Sequence, residues 1–410
     1  MRRLGGRREP EGASRAGEAP ARPRSSGAAA EAGGTGLAIE ARSEAEAFVT
    51  QTVDGQPVRL SDAVRAIPAE CRERPTARGL RVLAWDVGMY AVALALLWSD
   101  EPWRLVAGWS LAGVAIAALF VLGHDAAHGA LFTSPRLCGF VGRLAMLPSL
   151  HAYSVWAWGH NRVHHAFTTC RDIDAVWHPT TPAEWATATP RRRLQHRLEW
   201  SRFGAGPYYA RAIWWRQIIR APAPRGRQAE FRRDRRLVLG YALLVSVALA
   251  GVGFHRYGSV EGMLWLWCKM FAVPWALWNV LIGRTVYLHH IHPAILWTGR
   301  GRWSKLRAQL EGTTAFAMPR WVDALSHNIF HHVAHHVDPR IPFYHLPEAS
   351  RALQQRFGPA MHARPYTRGD YRRITRRCKL FDFERATWLD YPSPVLVPAP
   401  GRERPSAVPQ

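Results

Sequence analysis

The sequence predicts an all-α integral membrane protein, with four transmembrane helices in two hairpins, interfacial helices between them and a cytoplasmic, histidine-rich cap. Three observations predict this. Apolar residues make up 48% of the 410 and fall in blocks of spanning length. Arginine is concentrated in the links on one side of those blocks. The histidines, 19 in all, gather in sets spaced three and four apart just beyond them.

Crossing a bilayer takes about 20 mostly apolar residues at a rise of about 1.5 Å each. Four segments suffice: Gly79–Trp98, interrupted by Asp86; Trp103–Leu122; Leu237–Phe254; and Met263–Leu288, with Lys269 and Arg284 near its ends. The short links Ser99–Pro102 and His255–Gly262 pair them into hairpins. A fifth apolar stretch, Leu137–Trp158, is broken by Arg143, Pro148 and His151. It reads as interfacial or re-entrant, because irregular backbone is tolerated at membrane depth only where protein or water covers it. Tyr208–Arg220, "YYARAIWWRQIIR", mixes Trp, Tyr and Ile with arginine. It fits a helix lying in the headgroup region and equally a cap helix packed on its aromatics.

The first link, "SDEP", is acidic, whereas Arg225–Arg236 carries six arginines against two acids. By the positive-inside rule, both termini and the loop 123–236 lie in the cytoplasm. Every histidine cluster then faces the cytoplasm, and the expected location is a bacterial inner membrane.

The net charge is +23, from 54 Lys+Arg against 31 Asp+Glu. Only Lys269, Lys305 and Lys379 are lysine. Such a balance suits an anionic surface, and the spanning blocks point to a lipid leaflet rather than nucleic acid. No zinc-finger, RNA-binding or basic-zipper pattern is present. Cys71, Cys138, Cys170, Cys268 and Cys378 are scattered singly. That fits a reducing compartment and excludes a built-in iron–sulfur or disulfide module.

Residues 1–45 are rich in Ala, Gly, Arg, Glu, Pro and Ser and are expected to be a disordered tail. No apolar run follows "MRRLGGRREP", so a cleaved signal peptide is not expected. Residues 46–78 read as a cytoplasmic segment, 79–350 as the membrane domain and 351–410 as a cytoplasmic C-terminal tail.

The histidine sets are "GHDAAHG" with His124 and His128, "HNRVHH" with His160, His164 and His165, "YLHHIHP" with His289, His290 and His292, and "HHVAHH" at 331–336. On a helix, residues four apart share a face with Cβ atoms roughly 5–6 Å apart. His124 and His128 therefore reach one centre, as do His160 and His164, with His165 offset by a further turn of about 100°. His332, His335 and His336 converge similarly, while His331 points elsewhere. Taken singly, each set also fits exposed histidines on a polar helix. Together they place eight or nine imidazoles on one side of the membrane. That exceeds one tetrahedral zinc site and suits two ions with open coordination positions.

The order GHDxxHG, HxxxHH, "HHIHP" and "HNIFHHVAHH", followed by "PRIPFYHLPEA", resembles the membrane-bound fatty acid desaturases, nearest the acyl-lipid delta-12/omega-6 branch. The resemblance covers residues 79–350. It implies two non-haem iron ions held by His124, His128, His160, His164, His165, His332, His335 and His336, with His290 as the additional ligand after the last span. "HNRVHH" has three residues between its first two histidines where many relatives have two.

The resemblance further implies an acyl-chain lipid substrate, dioxygen, and two electrons per turnover from an external ferredoxin or b-type cytochrome. Such an acidic carrier would be attracted to the basic face. Arg225, Arg227, Arg232 and Arg233 are one place for it, although an anchor for the third span accounts for them better. Asp125 and Asp174 stand beside the first two boxes, either as acceptors for ligand imidazoles or as a helix cap and a surface acid. Asp86 reads as a hydrogen-bonding group of the helix bundle rather than a proton relay. Trp156, Trp158, Trp275 and Trp278 suit an acyl tunnel or interface anchoring. Two rivals stand beside this reading. One is hydroxylation or ketone formation on the same scaffold. The other is a non-catalytic metal transporter or sensor, whose histidines would be expected inside the spans.

Overall fold

A computed structural model describes residues 58–392, so the expected tail 1–45 lies outside the described residues. Four helices are long and apolar enough to cross a membrane: Thr76–Leu97, Pro102–Ala127, Gln228–Tyr257 and Val260–His290. Each contains or overlaps a segment expected from hydropathy, and the ends extend past the apolar blocks. The second carries on to Ala127 and so includes His124. The third starts at Gln228, inside the arginine-rich run.

Local chemistry sets the ends. Pro102 opens the second span at a position where a missing N–H costs nothing. The third ends at Gly258, in the left-handed region at φ +66°, and Ser259 caps the fourth by accepting from Gly262 N at 3.1 Å. That pair of residues makes the second hairpin. The first hairpin is locked to it at the end away from the histidines. Lys269, fully buried, donates to Asp100 Oδ1 at 2.5 Å and to Tyr257 Oη at 3.1 Å.

The second and fourth spans are the inner pair. In the second, 61% of the apolar window is buried, against 11% in the third, whose Leu239, Leu243, Leu244 and Val247 face outward. A helix apolar on its exposed face needs lipid around it.

The stretch 137–158 does not span. It splits into Pro135–Ala145 and Tyr153–Trp158, and Arg143 holds buried Asp234 of the third span at 3.0 Å. The 208–220 segment is helical and turns from α to π geometry after Tyr208. Its inner side, Tyr209, Ile213 and Ile218, is buried. The short helix Ala205–Tyr208 that leads into it crosses the fourth span closely, with Gly206 on one side and Gly283 on the other. A Cβ on Gly283 would meet the Ala205 carbonyl, and one on Gly206 would lie 2.8 Å from Val280 Cγ2. Because the obstacle at Gly283 is backbone, Gly283→Val is expected to destabilise the fold by about 3 kcal/mol or more. Thermal unfolding in detergent checks this, and an unchanged melting temperature contradicts the close crossing.

The cap is assembled from short pieces. Thr314–Ala317 pairs in parallel with His362–Pro365, and Thr314 Oγ1 donates to Leu288 O at 2.6 Å, fastening the strand to the end of the fourth span. The segment after 350, taken from sequence as a tail, carries that second strand, the helix Asp370–Arg377 and an antiparallel pair, Leu380–Asp382 with Thr387–Leu389. Asp86 accepts from His327 Nε2 at 2.7 Å, so the first span's acid holds the loop that leads into the third histidine box. His327 and Asn328 both have φ above +50°. Such strain persists only where the surroundings fix it.

Candidate metal centre

The first box sits on the last turn of the second span, where the four-residue spacing brings His124 and His128 edge to face with ring centroids 4.8 Å apart. The second box departs from the expected α-helix. Gly159–His164 is π-helical, and His165 N donates to His160 O at 2.8 Å, a five-residue step. A π turn puts residues five apart on one side. His160 therefore faces the first box together with His165, not with His164, and its ring Nε2 lies 3.0 Å from His165 Nε2. His164 turns to the opposite group.

The third box, on the helix His332–Val337, is likewise divided. His332, His335 and His336 do not converge on one point, because adjacent helical residues point about 100° apart. His335 meets His165 at 3.1 Å between Nε2 atoms, whereas His332 meets His290 at 3.2 Å.

Two groups result. In one, His124, His128, His160, His165 and His335 bring ligand atoms within 4.8 Å of one another; in the other, His164, His290 and His336 do so. His332 borders the second group through His290. The consecutive pairs His164/His165 and His335/His336 give one residue to each group, which keeps the groups side by side. The rings of His165 and His336 stack at 4.2 Å.

Several rings are held by their far nitrogen. Asp125 Oδ1 accepts from His124 Nδ1 at 3.0 Å, and its other oxygen accepts from Phe343 N at 2.7 Å. Asp174 Oδ1 accepts from His164 Nδ1 at 3.0 Å and is itself held by Thr169 N and Val176 N. Gln309 Oε1 accepts from His336 Nδ1 at 3.1 Å, while its amide donates to His165 O at 3.0 Å. The Nε2 atoms of His124, His128, His164 and His336 are buried without a hydrogen-bond partner.

Orphaned buried acceptors on this scale are costly unless a ligand uses them. Two nitrogens bound to one ion at about 2.1 Å and at right angles stand about 3 Å apart, which is the spacing of the three Nε2 pairs. The residues fit metal ions. Burial and neighbouring imidazoles hold His165, His332, His335 and His336 well below the ordinary histidine range, so they are neutral, the form that ligates metal.

The same shifts set a pH dependence. The folded pKa lies below the unfolded value of about 6.5, so in acid the unfolded chain binds more protons. Stability is full above that pH and falls as pH drops below it, by about 1.4 kcal/mol per unit for each such residue. We expect the metal-free protein's melting temperature to hold above pH 7 and to fall steadily toward pH 5. A flat profile contradicts the buried neutral cluster.

An apolar cavity of about 110 Å³ ends on both groups. Phe120 and Val121 of the second span, Ile282 and Val286 of the fourth, and Trp156 and Tyr209 line it, with His124, His164 and His290 at its head. Of the tryptophans singled out from sequence, Trp156 lines this cavity and Trp278 is fully buried against Phe120. Trp275 donates to Ser149 O, and Trp158 lies under Arg227.

Sequence reasoning missed Gln309, Thr168, whose hydroxyl lies 3.3 Å from His336 Nδ1, and His289, stacked on His332 at 3.8 Å. Of these only His289 carried a signal, its place beside His290.

The description "Fatty acid desaturase" belongs to a family model that matches residues 101–368. The chain is similar to an omega-6 fatty acid desaturase, chloroplastic, from Glycine max, 28% identical over 330 residues, covering 80% of this chain and 75% of the relative. It is also similar to two proteins named sn-1 oleoyl-lipid 12-desaturase. That of Anabaena variabilis is 27% identical over 318 residues, 74% of this chain and 84% of the relative. That of Synechocystis sp. is 26% identical over 341 residues, 82% and 93%. With the family match running from the second span through all the histidine boxes, the chain belongs to the fatty acid desaturase family and is an oxidoreductase.

Proposed function

We propose that the chain introduces a double bond into the acyl chain of a membrane lipid, using dioxygen and two external electrons. One observation supports this most: an apolar cavity, walled by two spans, whose head is formed by both histidine groups. In this reading His124, His128, His160, His165 and His335 hold one iron. His164, His290 and His336, with His332 beside them, hold the other. When bound, the irons supply the activation of dioxygen that no amino-acid side chain can provide.

The chain's own residues do the rest. Phe120, Val121, Ile282 and Val286 offer an apolar wall that methylenes can pack against on leaving the equally apolar bilayer interior. Burial at the cavity head excludes water, which protects a reactive site from side reactions. Asp125, Asp174 and Gln309 fix ring orientation, so the imidazoles need no reorganisation on binding metal. The balance is complete: two hydrogens from adjacent methylenes, two electrons and two protons reduce one dioxygen to two waters. A reduced ferredoxin or b-type cytochrome supplies the electrons. The cap faces the cytoplasm of a bacterial inner membrane, in accord with the arginines of 225–236.

The test uses purified protein in lipid with a reduced carrier. The expected product is lighter than the substrate by two hydrogens. A product heavier by one oxygen assigns the site to hydroxylation and overturns the proposal.

A further inference from the structure

We propose that the arginine face of the Asp370–Arg377 helix, with the pocket beside Pro293, is the docking surface for the acidic one-electron carrier. This rests on the desaturase reading above. The helix, "DYRRITRR", buries Tyr371, Ile374 and Thr375 in the cap and leaves Arg372, Arg373, Arg376 and Arg377 exposed on its other side. Arg372 and Arg376, and likewise Arg373 and Arg377, are like charges four apart, an arrangement that destabilises a helix. Asp370 answers only part of this, pairing with Arg373 at 3.1 Å and with Arg364 at 2.7 Å. Among the described residues, Arg372, Arg376 and Arg377 have no carboxylate partner. A self-repelling face of this kind is complementary to an acidic protein surface and steers its approach.

The run at 225–236 is different, because three of its six arginines are used within the fold. Arg227 pairs with Glu230, Arg233 with Asp234, and Arg235 donates to the carbonyls of Ile218 and Ala221. That is the bonding of an anchor.

Position supplies the second argument. The four arginines outnumber the one acid, Asp390, in the wall of a pocket of about 750 Å³ that also contains Pro293 and Trp388. Trp388 Nε1 donates to Ile295 O at 3.0 Å, binding the pocket to the chain that leaves the fourth span. Pro293 lies three residues after His290 of the second histidine group, and three residues reach at most about 11 Å. A carrier seated there has a short covalent path to the metal centre. That short path to the second histidine group is of use to an electron carrier and of none to a lipid headgroup, so the protein partner is favoured over anionic lipid. Each docking passes one electron. Two dockings complete the two-electron balance given above.

The test uses the full chain in phosphatidylcholine nanodiscs and an oxidised plant-type two-iron ferredoxin as probe, with binding measured by surface plasmon resonance at low and high salt. We expect salt-sensitive binding that weakens roughly tenfold or more in R372E/R376E, less in R372Q/R376Q, and little in R232E/R233E. Turnover driven by reduced methyl viologen, which needs no docking site, should be unchanged in every variant. Ferredoxin affinity unchanged in R372E/R376E, or lost equally in R232E/R233E, overturns the surface. Activity of R372E/R376E that differs from wild type only when anionic lipid is added assigns the arginines to the membrane and also overturns it. If wild type itself fails with viologen, the desaturase reading fails instead, while the binding result still stands for the surface.

Discussion

His165→Ala and His164→Ala are each expected to abolish double-bond formation while disturbing different metal positions. The two residues are neighbours in the chain, yet the π turn sends His165 into the group with His160 and His335 and leaves His164 with His290 and His336. Removing His165 takes one of five nitrogens, including the partner of two Nε2 contacts near 3 Å. Removing His164 takes one of three, so the second group has less reserve. We expect His164→Ala to retain about one metal per chain. His165→Ala should keep more metal, held weakly at the first position. Metal analysis of the purified variants, with lipid analysis of the cells, checks both. Equal and complete loss of metal in the two variants contradicts two separable groups.

Replacing Asp174 with Asn is the second large effect, expected at about 10- to 100-fold in metal affinity or activity. The carboxylate accepts from His164 Nδ1, and that bond keeps the proton on Nδ1 and the lone pair on buried Nε2. An amide in its place offers one acceptor where the acid offers two. The acid's other oxygen is already committed to Thr169 N. Asp125→Asn should act similarly through His124, with an added loosening of the chain at Phe343. A binding titration with ferrous iron separates the two, since Asp174 acts on the second group and Asp125 on the first. Wild-type affinity in Asp174→Asn contradicts the orienting role.

The sequence showed the spans clearly, because apolar length is a property of the local chain. It also showed the histidine sets and the acids beside them. The division of ligands was not legible. Four-residue spacing presumes an α-helix, and at 159–164 the ladder is widened to five by a turn with no plain marker in "GHNRVH". Gln309 was hidden for another reason. It reaches His336 and His165 only once the chain has folded, across 27 and 144 residues.

The C-terminal segment held a readable pattern that composition obscured. Tyr371, Ile374, Thr375 and Cys378 recur at helical spacing and are buried, but dense arginine between them resembled a solvated tail. From sequence, Asp86 reads as a group that hydrogen-bonds within the helix bundle. Its partner is instead His327, in a loop of the cap 241 residues on.

Whether the paired histidine groups put a double bond into an acyl chain is read by expressing the chain in a host whose lipids lack such a bond and locating double bonds in the total lipid by mass spectrometry. A new double bond is expected with the wild-type chain and none with His335→Ala at equal protein level. A new bond that survives His335→Ala separates the chemistry from the histidine groups and rules the proposed function out.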